Sequence, residues 1–340
     1  MPFPAFPLFV VPVRFGAPPL LLAALLVGGC PAQAQQAAPV PRDTSFTVHS
    51  AYVKAKKQHP TITVARPPVP RHVRTASNLT YCALAGGREL KLDVFYPRAK
   101  RRQTFPAVLI VHGGGWRSGD RAQHVPLAQQ LAARGYVAVT AEYRLSTEAP
   151  YPAAVQDLKT ALRWLRAHAC PYAIDTTKVA VWGFSAGGQL ATLVGTTNDD
   201  PLFEAGTCYR SHNSRVQAIV DADGTLAFIH PESGEGDDRK GPSAATLWFG
   251  ASKTDRPDLW QQAAPLNHVS AHTPPILFIN SGVARMHAGR DDMRRQLDAF
   301  GIYSEVQQFP EAPHPFVLFN PWFEPTVAYT VNFLNRVFGR

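Results

Sequence analysis

Val179-Ala180-Val181-Trp182-Gly183-Phe184-Ser185-Ala186-Gly187 decides how this chain is read. Four apolar residues run straight into a G-x-S-x-G pentapeptide, and a helix-like stretch, Gln189-Leu190-Ala191-Thr192-Leu193-Val194, follows. That order places Ser185 on a sharp strand-to-helix turn, where flanking glycines leave room for a strained backbone and the hydroxyl projects outward. Upstream, a second apolar run ends in His112-Gly113-Gly114-Gly115-Trp116. A glycine loop there can bring backbone N–H groups against a developing negative charge on oxygen. The expected donors are Gly113, Gly114 and Ala186, the residue after the serine. Trp116 is expected to pack beneath this loop, with lining of the acyl pocket as the alternative.

A serine nucleophile needs a base, and the base needs an orienting acid. With the nucleophile after a mid-chain strand, the base is expected on a late loop. His314, in Pro310-Glu311-Ala312-Pro313-His314-Pro315-Phe316, follows the strand-like run 304–309 and precedes the closing helical stretch. His112 reads as a structural residue of the glycine loop, and His287 precedes the last strand.

From residue 79 onward strand-like and helix-like segments alternate, the pattern of a mostly parallel α/β sheet. Leu79–Leu84 and Glu89–Phe95 flank Gly86-Gly87 as an opening hairpin, and Ala107–Val111, Val137–Glu142, Val216–Val220, Ile276–Ile279 and Ser304–Phe309 read as further strands. Helices are expected over Leu127–Arg134, Pro152–His168, Asp292–Phe300 and Val327–Phe338. Residues 224–270 are irregular and rich in Gly, Pro and charge, an excursion long enough to suggest a lid or substrate wall. Trp248 and Trp260 within it are candidate sugar-stacking residues, with simple packing as the alternative.

The 340 residues carry a net charge of +9, but residues 42–78 alone hold +6 and residues 79–340 only +2. The basic stretch is punctuated by Pro60, Pro67, Pro68 and Pro70, so residues 35–78 read as a solvated linker. No nucleic-acid motif accompanies the charge, and DNA or RNA partners are not expected. Arg14 followed by the apolar run Leu20–Val27 reads as an export signal over residues 1–34, too short to span a bilayer comfortably. Ala32-Gln33-Ala34 fits ordinary cleavage. Val27-Gly28-Gly29-Cys30 is similar to a relaxed lipoprotein box, in which a lipidated Cys30 would tether the chain to a membrane. The expected location is therefore periplasmic or extracellular. Cys82, Cys170 and Cys208 would then remain, enough for one disulfide and one free thiol, with the pairing open. No Cys/His cluster has zinc-like spacing, and neither metal nor cofactor is expected.

His112–Trp116, Tyr151–Lys159 with Trp164-Leu165, and Trp182–Gly188 together resemble the α/β-hydrolase esterases related to acetylxylan and feruloyl esterases and the hormone-sensitive-lipase group. The resemblance covers residues 79–340. It implies an α/β-hydrolase fold and acyl transfer through Ser185 and His314. The ending Asn320-Pro321-Trp322-Phe323-Glu324-Pro325 is similar to that of bacterial acetyl or pectin-type carbohydrate esterases. Acetyl esters of plant polysaccharides are therefore the expected substrates. A general short-chain carboxylesterase and a non-catalytic hydrolase-fold binding protein are the rival readings.

One departure from the family pattern concerns the acid, which usually sits in a Gly-x-x-Asp setting after the strand before the histidine loop. Here that stretch is Asn280-Ser281-Gly282-Val283-Ala284-Arg285 and contains no carboxylate. Asp291 is the leading expectation for the acid, at a helix N-cap. Asp223, just after the preceding strand, is the alternative, followed by Asp221, Asp292 or no acid at all. Asp157 is expected to be a structural hydrogen-bonding group.

Overall fold

A computed structural model describes residues 43–340 together with residues 7 and 10. The expected export segment, with Cys30 and Ala32-Gln33-Ala34, lies outside the described residues apart from Pro7 and Val10. The chain divides into a unit of Met1–Gln36 and a body of Ala37–Arg340 that carries the whole sheet.

Helix α1 (Val48–Ala55) opens the body, its first turn closed by a reciprocal pair between Thr47 and Ser50. Strand β1 (Thr63–Val64) pairs antiparallel with residues 319 and 320. Ala51, Ala55, Ile62 and Ala65 are buried in a cluster with Phe319, Trp322 and Phe323, and Asp43 forms an ion pair with Arg117. Residues 47–78 are thus part of the folded body, contrary to the expected linker. A few small apolar residues pack while the lysines and arginines stay in water, and a set so sparse leaves no periodic signature.

The hairpin follows as β2 (Val73–Ala83) and β3 (Glu89–Pro97), joined through Gly86 and Gly87, both at φ 83°. Next come β4 (Phe105–Val111), α2 (Val125–Ala133), β5 (Val137–Ala141), α3 (Ala153–Ala167) and the short α4 (Ala169–Tyr172). Strand β6 (Ile174–Phe184) and helix α5 (Ala186–Thr196) flank Ser185 directly. The remainder is β7 (Ala218–Ala222), α6 (Ala244–Phe249), α7 (Pro257–Gln262), β8 (Ile276–Asn280), α8 (Arg290–Ala299), β9 (Ser304–Gln308), β10 (Phe319–Asn320) and α9 (Phe323–Phe338).

Eight strands form one sheet in the order β2-β3-β5-β4-β6-β7-β8-β9, antiparallel at β2-β3 and β3-β5 and parallel elsewhere. This is the expected α/β-hydrolase architecture. Both faces of the parallel part are covered, so its strands are apolar throughout. Along β4, Leu109 and Val111 join a cluster with Leu158, Leu162 and Leu165 of α3 and Leu190 and Leu193 of α5. Val108 and Ile110 join Leu127 and Leu131 of α2 and Phe333 and Leu334 of α9 on the opposite face. Cys82 at the end of β2 is disulfide-bonded to Cys208 in the α5–β7 connection, across 126 residues, and Cys170 is an exposed thiol. Among the described residues no helix is long and apolar enough to cross a membrane.

Candidate active site

Ser185 sits between β6 and α5 at φ 57°, ψ −124°, a backbone region that costs energy for any residue with a Cβ. Its N–H donates to the Ala222 carbonyl at 2.8 Å and its carbonyl accepts from Gln189 N–H at 3.0 Å, so the turn is held on both sides. The two glycines of the pentapeptide serve close approach. A Cβ on Gly183 would stand 1.9 Å from the Gly187 carbonyl oxygen, and one on Gly187 2.3 Å from that of Val111.

His314, on the loop after β9, places Nε2 2.8 Å from Ser185 Oγ and Nδ1 2.9 Å from Asp223 Oδ2. The Asp223 side chain is fully buried and that of His314 is 22% exposed, so solvent and substrate reach the imidazole but not its carboxylate. Asp223 begins the turn after β7 at φ 53°, and its other oxygen, Oδ1, accepts from Ser281 N–H at 2.9 Å. A carboxylate accepts only, so Nδ1 must carry its proton and Nε2 is left to accept from the Ser185 hydroxyl. The three side chains form one hydrogen-bonded chain able to draw the proton from Oγ as it attacks a carbonyl carbon.

The leading expectation for the acid is corrected. Asp291 lies in the first turn of α8, where Gly289 rather than Asp291 is the N-cap, and it pairs with Arg290 at 2.9 Å. Arg290 holds the Asp291 carboxyl below the usual range, and the side chain is 59% exposed. Asp292 meets His230 at 2.9 Å instead. Asp221 is buried beneath the start of α5, with Oδ1 accepting from Gly224 N–H at 3.0 Å and Oδ2 without a partner. Burial, then the nearby charge of Asp223, drives its carboxyl well above the ordinary range. Of the two carboxyls, Asp223 is the one that faces His314. The acid-free segment after β8 braces the site rather than supplying its acid. Ser281 binds Asp223, and Gly282 donates its N–H to the Ala312 carbonyl at 3.0 Å. A Cβ on Gly282 would lie 2.0 Å from the Pro310 carbonyl oxygen, so glycine lets the histidine loop close down here.

The oxyanion donors also need one correction. Gly113 N–H donates to Gln123 Oε1 at 3.0 Å and is already engaged. The N–H groups of Gly114 and Gly115 have no acceptor among the described residues, and that of Ala186 is the first orphan donor of α5. Gly114, Gly115 and Ala186 are therefore N–H groups of the two motifs left without an acceptor among the described residues. At φ 132° and 59°, Gly114 and Gly115 adopt backbone open chiefly to glycine. His112 supports the loop as expected, with Nδ1–H donating to the Gly113 carbonyl at 2.9 Å and its ring stacked on Tyr143. Asp157 likewise is structural, accepting from Arg144 N–H and guanidinium.

Behind this loop lies His124, buried against Trp182, with a pKa lowered to about 3, first by burial and then by the charge of His112. A histidine kept neutral in the native state stabilises the fold fully above its unfolded pKa near 6.5, and that contribution is lost as pH falls toward 3. Chemical denaturation should show about 2 kcal/mol less stability at pH 5 than at pH 7.5 from this residue. His124→Phe should flatten that dependence, and an unchanged acid slope in the variant would refute the assignment.

Trp248 and Trp260 do not form a sugar platform. Both are fully buried, because the excursion folds into α6 and α7 and completes the core beside α5. Trp116 stacks on Trp248 at 5.0 Å and 9°, and its Nε1–H donates to Gln189 Oε1 at 2.9 Å. Gln189 in turn donates to the Ala263 carbonyl at 2.8 Å, tying the glycine loop, the nucleophile helix and the excursion together. Gln189 and Gln123 brace the site through these hydrogen bonds and are not singled out by the sequence motifs; a buried-helix amide four residues after the serine was the available signal. No group of three or more His, Cys, Asp or Glu among the described residues could hold a metal ion.

Sheet order and serine turn together define a member of the α/β-hydrolase class. A family model described as BD-FAE matches residues 92–284, more than half of the chain. The chain belongs to that family. Among curated relatives, esterase LipC of Mycobacterium tuberculosis is 30% identical over 72% of this chain and 62% of its own length. The probable carboxylic ester hydrolase LipM of the same organism is 29% identical over 67% of this chain and 51% of its own. The chain thus spans between half and two thirds of the length of these two relatives. A truncated carbohydrate esterase from gut microbiota has the same fold, with a TM-score of 0.65 at 22% identity, over 78% of this chain and 97% of that one. A thermophilic esterase of Thermogutta terrifontis, solved with butyrate bound, gives 0.64 at 25% identity over 78% of this chain and 95% of its own.

Proposed function

We propose that the protein is an exported serine esterase that removes short acyl groups, acetyl above all, from esters of plant polysaccharides or their oligosaccharides. The observation that carries the ester-hydrolase part is the hydrogen-bonded chain Ser185–His314–Asp223 beside the free N–H groups of Gly114, Gly115 and Ala186. Ser185 Oγ attacks the ester carbonyl while His314 Nε2 takes its proton, and the carbonyl oxygen moves onto the N–H groups as it gains charge. His314 then protonates the departing alcohol, leaving an acyl-enzyme. Water activated by the same imidazole releases the acid.

The carbohydrate part is supported by the sequence resemblance and by the shared fold of the truncated carbohydrate esterase from gut microbiota. Export is supported by the Leu20–Val27 run and by the Cys82–Cys208 disulfide, a bond favoured in oxidising compartments. The burial of Trp248 and Trp260 favours a second reading, a general short-chain carboxylesterase. Acyl release from acetylated xylan and pectin fragments, compared with 4-nitrophenyl esters of rising chain length, decides between them. Preference for acetyl and turnover of the sugar esters are expected. Hydrolysis confined to nitrophenyl esters would leave the general reading standing, and no Ser185-dependent release from any ester would end both.

A further inference from the structure

Glu235 and Arg285 form a polar pair next to the histidine loop that neither the proton relay nor the oxyanion donors require. Arg285 follows three residues after Gly282, the residue packed on Pro310 and Ala312 of that loop. Its Nη1 donates to Glu235 Oε1 at 3.2 Å, while the other donors of a side chain 52% exposed have no partner among the described residues. Glu235 is held in place: its carbonyl accepts from Lys253 Nζ at 3.2 Å, and its side chain is 15% exposed. Its second oxygen, Oε2, has no protein partner and is not sealed from solvent. Glu235 borders a surface concavity of about 700 Å³ shared with Ser233, Asp238 and Lys253, and Gly234 beside it lies close to Arg285, whose Cδ would stand 3.1 Å from a Cβ there. Trp260, fully buried, packs beneath Gly236, 2.9 Å from where a Cβ would stand. Burial raises the Glu235 carboxyl, and the charges of Arg285 and then His314 oppose the rise, which places the group within the electrostatic reach of the imidazole.

In acyl transfer that imidazole delivers its proton to the departing alcohol, so polar groups beside it meet the alcohol half of the ester. A carboxylate oxygen offers an acceptor and a guanidinium offers donors in a fixed fork. We infer that Glu235 and Arg285 recognise the alcohol half of the substrate as a polyhydroxylated, sugar-like group. Glu235 Oε2 accepts from one hydroxyl and Arg285 donates to its neighbour. This rests on the ester-hydrolase reading of the same site and adds to it the residues that set its substrate class.

The test compares two acetyl esters that give the same acyl-enzyme, 4-nitrophenyl acetate and an acetylated xylo-oligosaccharide. Glu235→Leu and Arg285→Met should each lower kcat/KM on the sugar ester about 10- to 100-fold, the usual loss of a charged hydrogen bond. Turnover of 4-nitrophenyl acetate should stay within about twofold, because its leaving group has no hydroxyl to recognise. Glu235→Gln, which keeps an acceptor, should recover part of the sugar-ester rate. An equal fall on both substrates with a displaced pH profile would assign the pair to tuning His314 and overturn the proposal, as would no change on either. Wild-type protein that hydrolyses nitrophenyl acetate but not the sugar ester overturns this inference alone. Absence of hydrolysis on both removes the parent reading with it.

Discussion

Ser185→Ala should lower kcat/KM on any ester the protein hydrolyses by about 10⁵- to 10⁶-fold, the loss typical when the nucleophile of such a triad is removed. The substitution deletes one oxygen. It leaves Ser185 N–H on Ala222 and the Ser185 carbonyl on Gln189, both main-chain bonds. Alanine carries the same Cβ at φ 57° as serine, so the turn keeps its strain and the variant should melt with the wild type. A fluorophosphonate should label the wild type at this serine and leave the variant untouched, since only an activated hydroxyl reacts readily. Undiminished hydrolysis in the variant would overturn the mechanism. A wild type inert to both ester and label would support the non-catalytic reading.

The parts of the site legible in the sequence are those that local chain geometry dictates. A strand, a G-x-S-x-G and a helix in direct succession leave Ser185 one arrangement, and the order of elements alone puts His314 after β9. The acid was less legible because its partner set is non-local. Strand β7 runs to Ala222 rather than Val220, so Asp223, not Asp221, stands at the turn. Its geometry then depends on Ser281 and His314, 58 and 91 residues away. Gly113 misled for a similar reason, since its N–H is claimed by a side chain ten residues on. Trp248 and Trp260 stood in a segment with no clear period, and their burial goes with ring contacts, Trp248 stacked on Trp116 and Trp260 tilted against Phe249, which no local pattern encodes. Residues 47–78 were hidden by their charge, although Ala51, Ala55, Ile62 and Ala65 are buried in the core cluster and Val48, Tyr52, Val64 and Val73 pack against it.

Asp223→Asn should cost about 10⁴-fold in kcat/KM, and Asp291→Asn no more than about threefold. In the first variant the amide must keep its carbonyl oxygen on Ser281 N–H, where Oδ1 now accepts at 2.9 Å, or leave that buried donor unpaired. Its NH₂ then points at His314 Nδ1. The ring can accept that bond only by moving its proton to Nε2, the tautomer that cannot take a proton from Ser185. The imidazolium formed during attack would also lose its buried counter-charge. Asp291 offers neither function, because its carboxylate faces Arg290 at an exposed helix start, where an ion pair contributes little. Both variants should fold, since the first keeps the shape of a buried side chain and the second changes a surface one. A pH profile of Asp223→Asn that regains activity at high pH, where hydroxide can replace the missing base, would strengthen the assignment. Loss of activity in Asp291→Asn together with a working Asp223→Asn would reverse it and return the acid to helix α8.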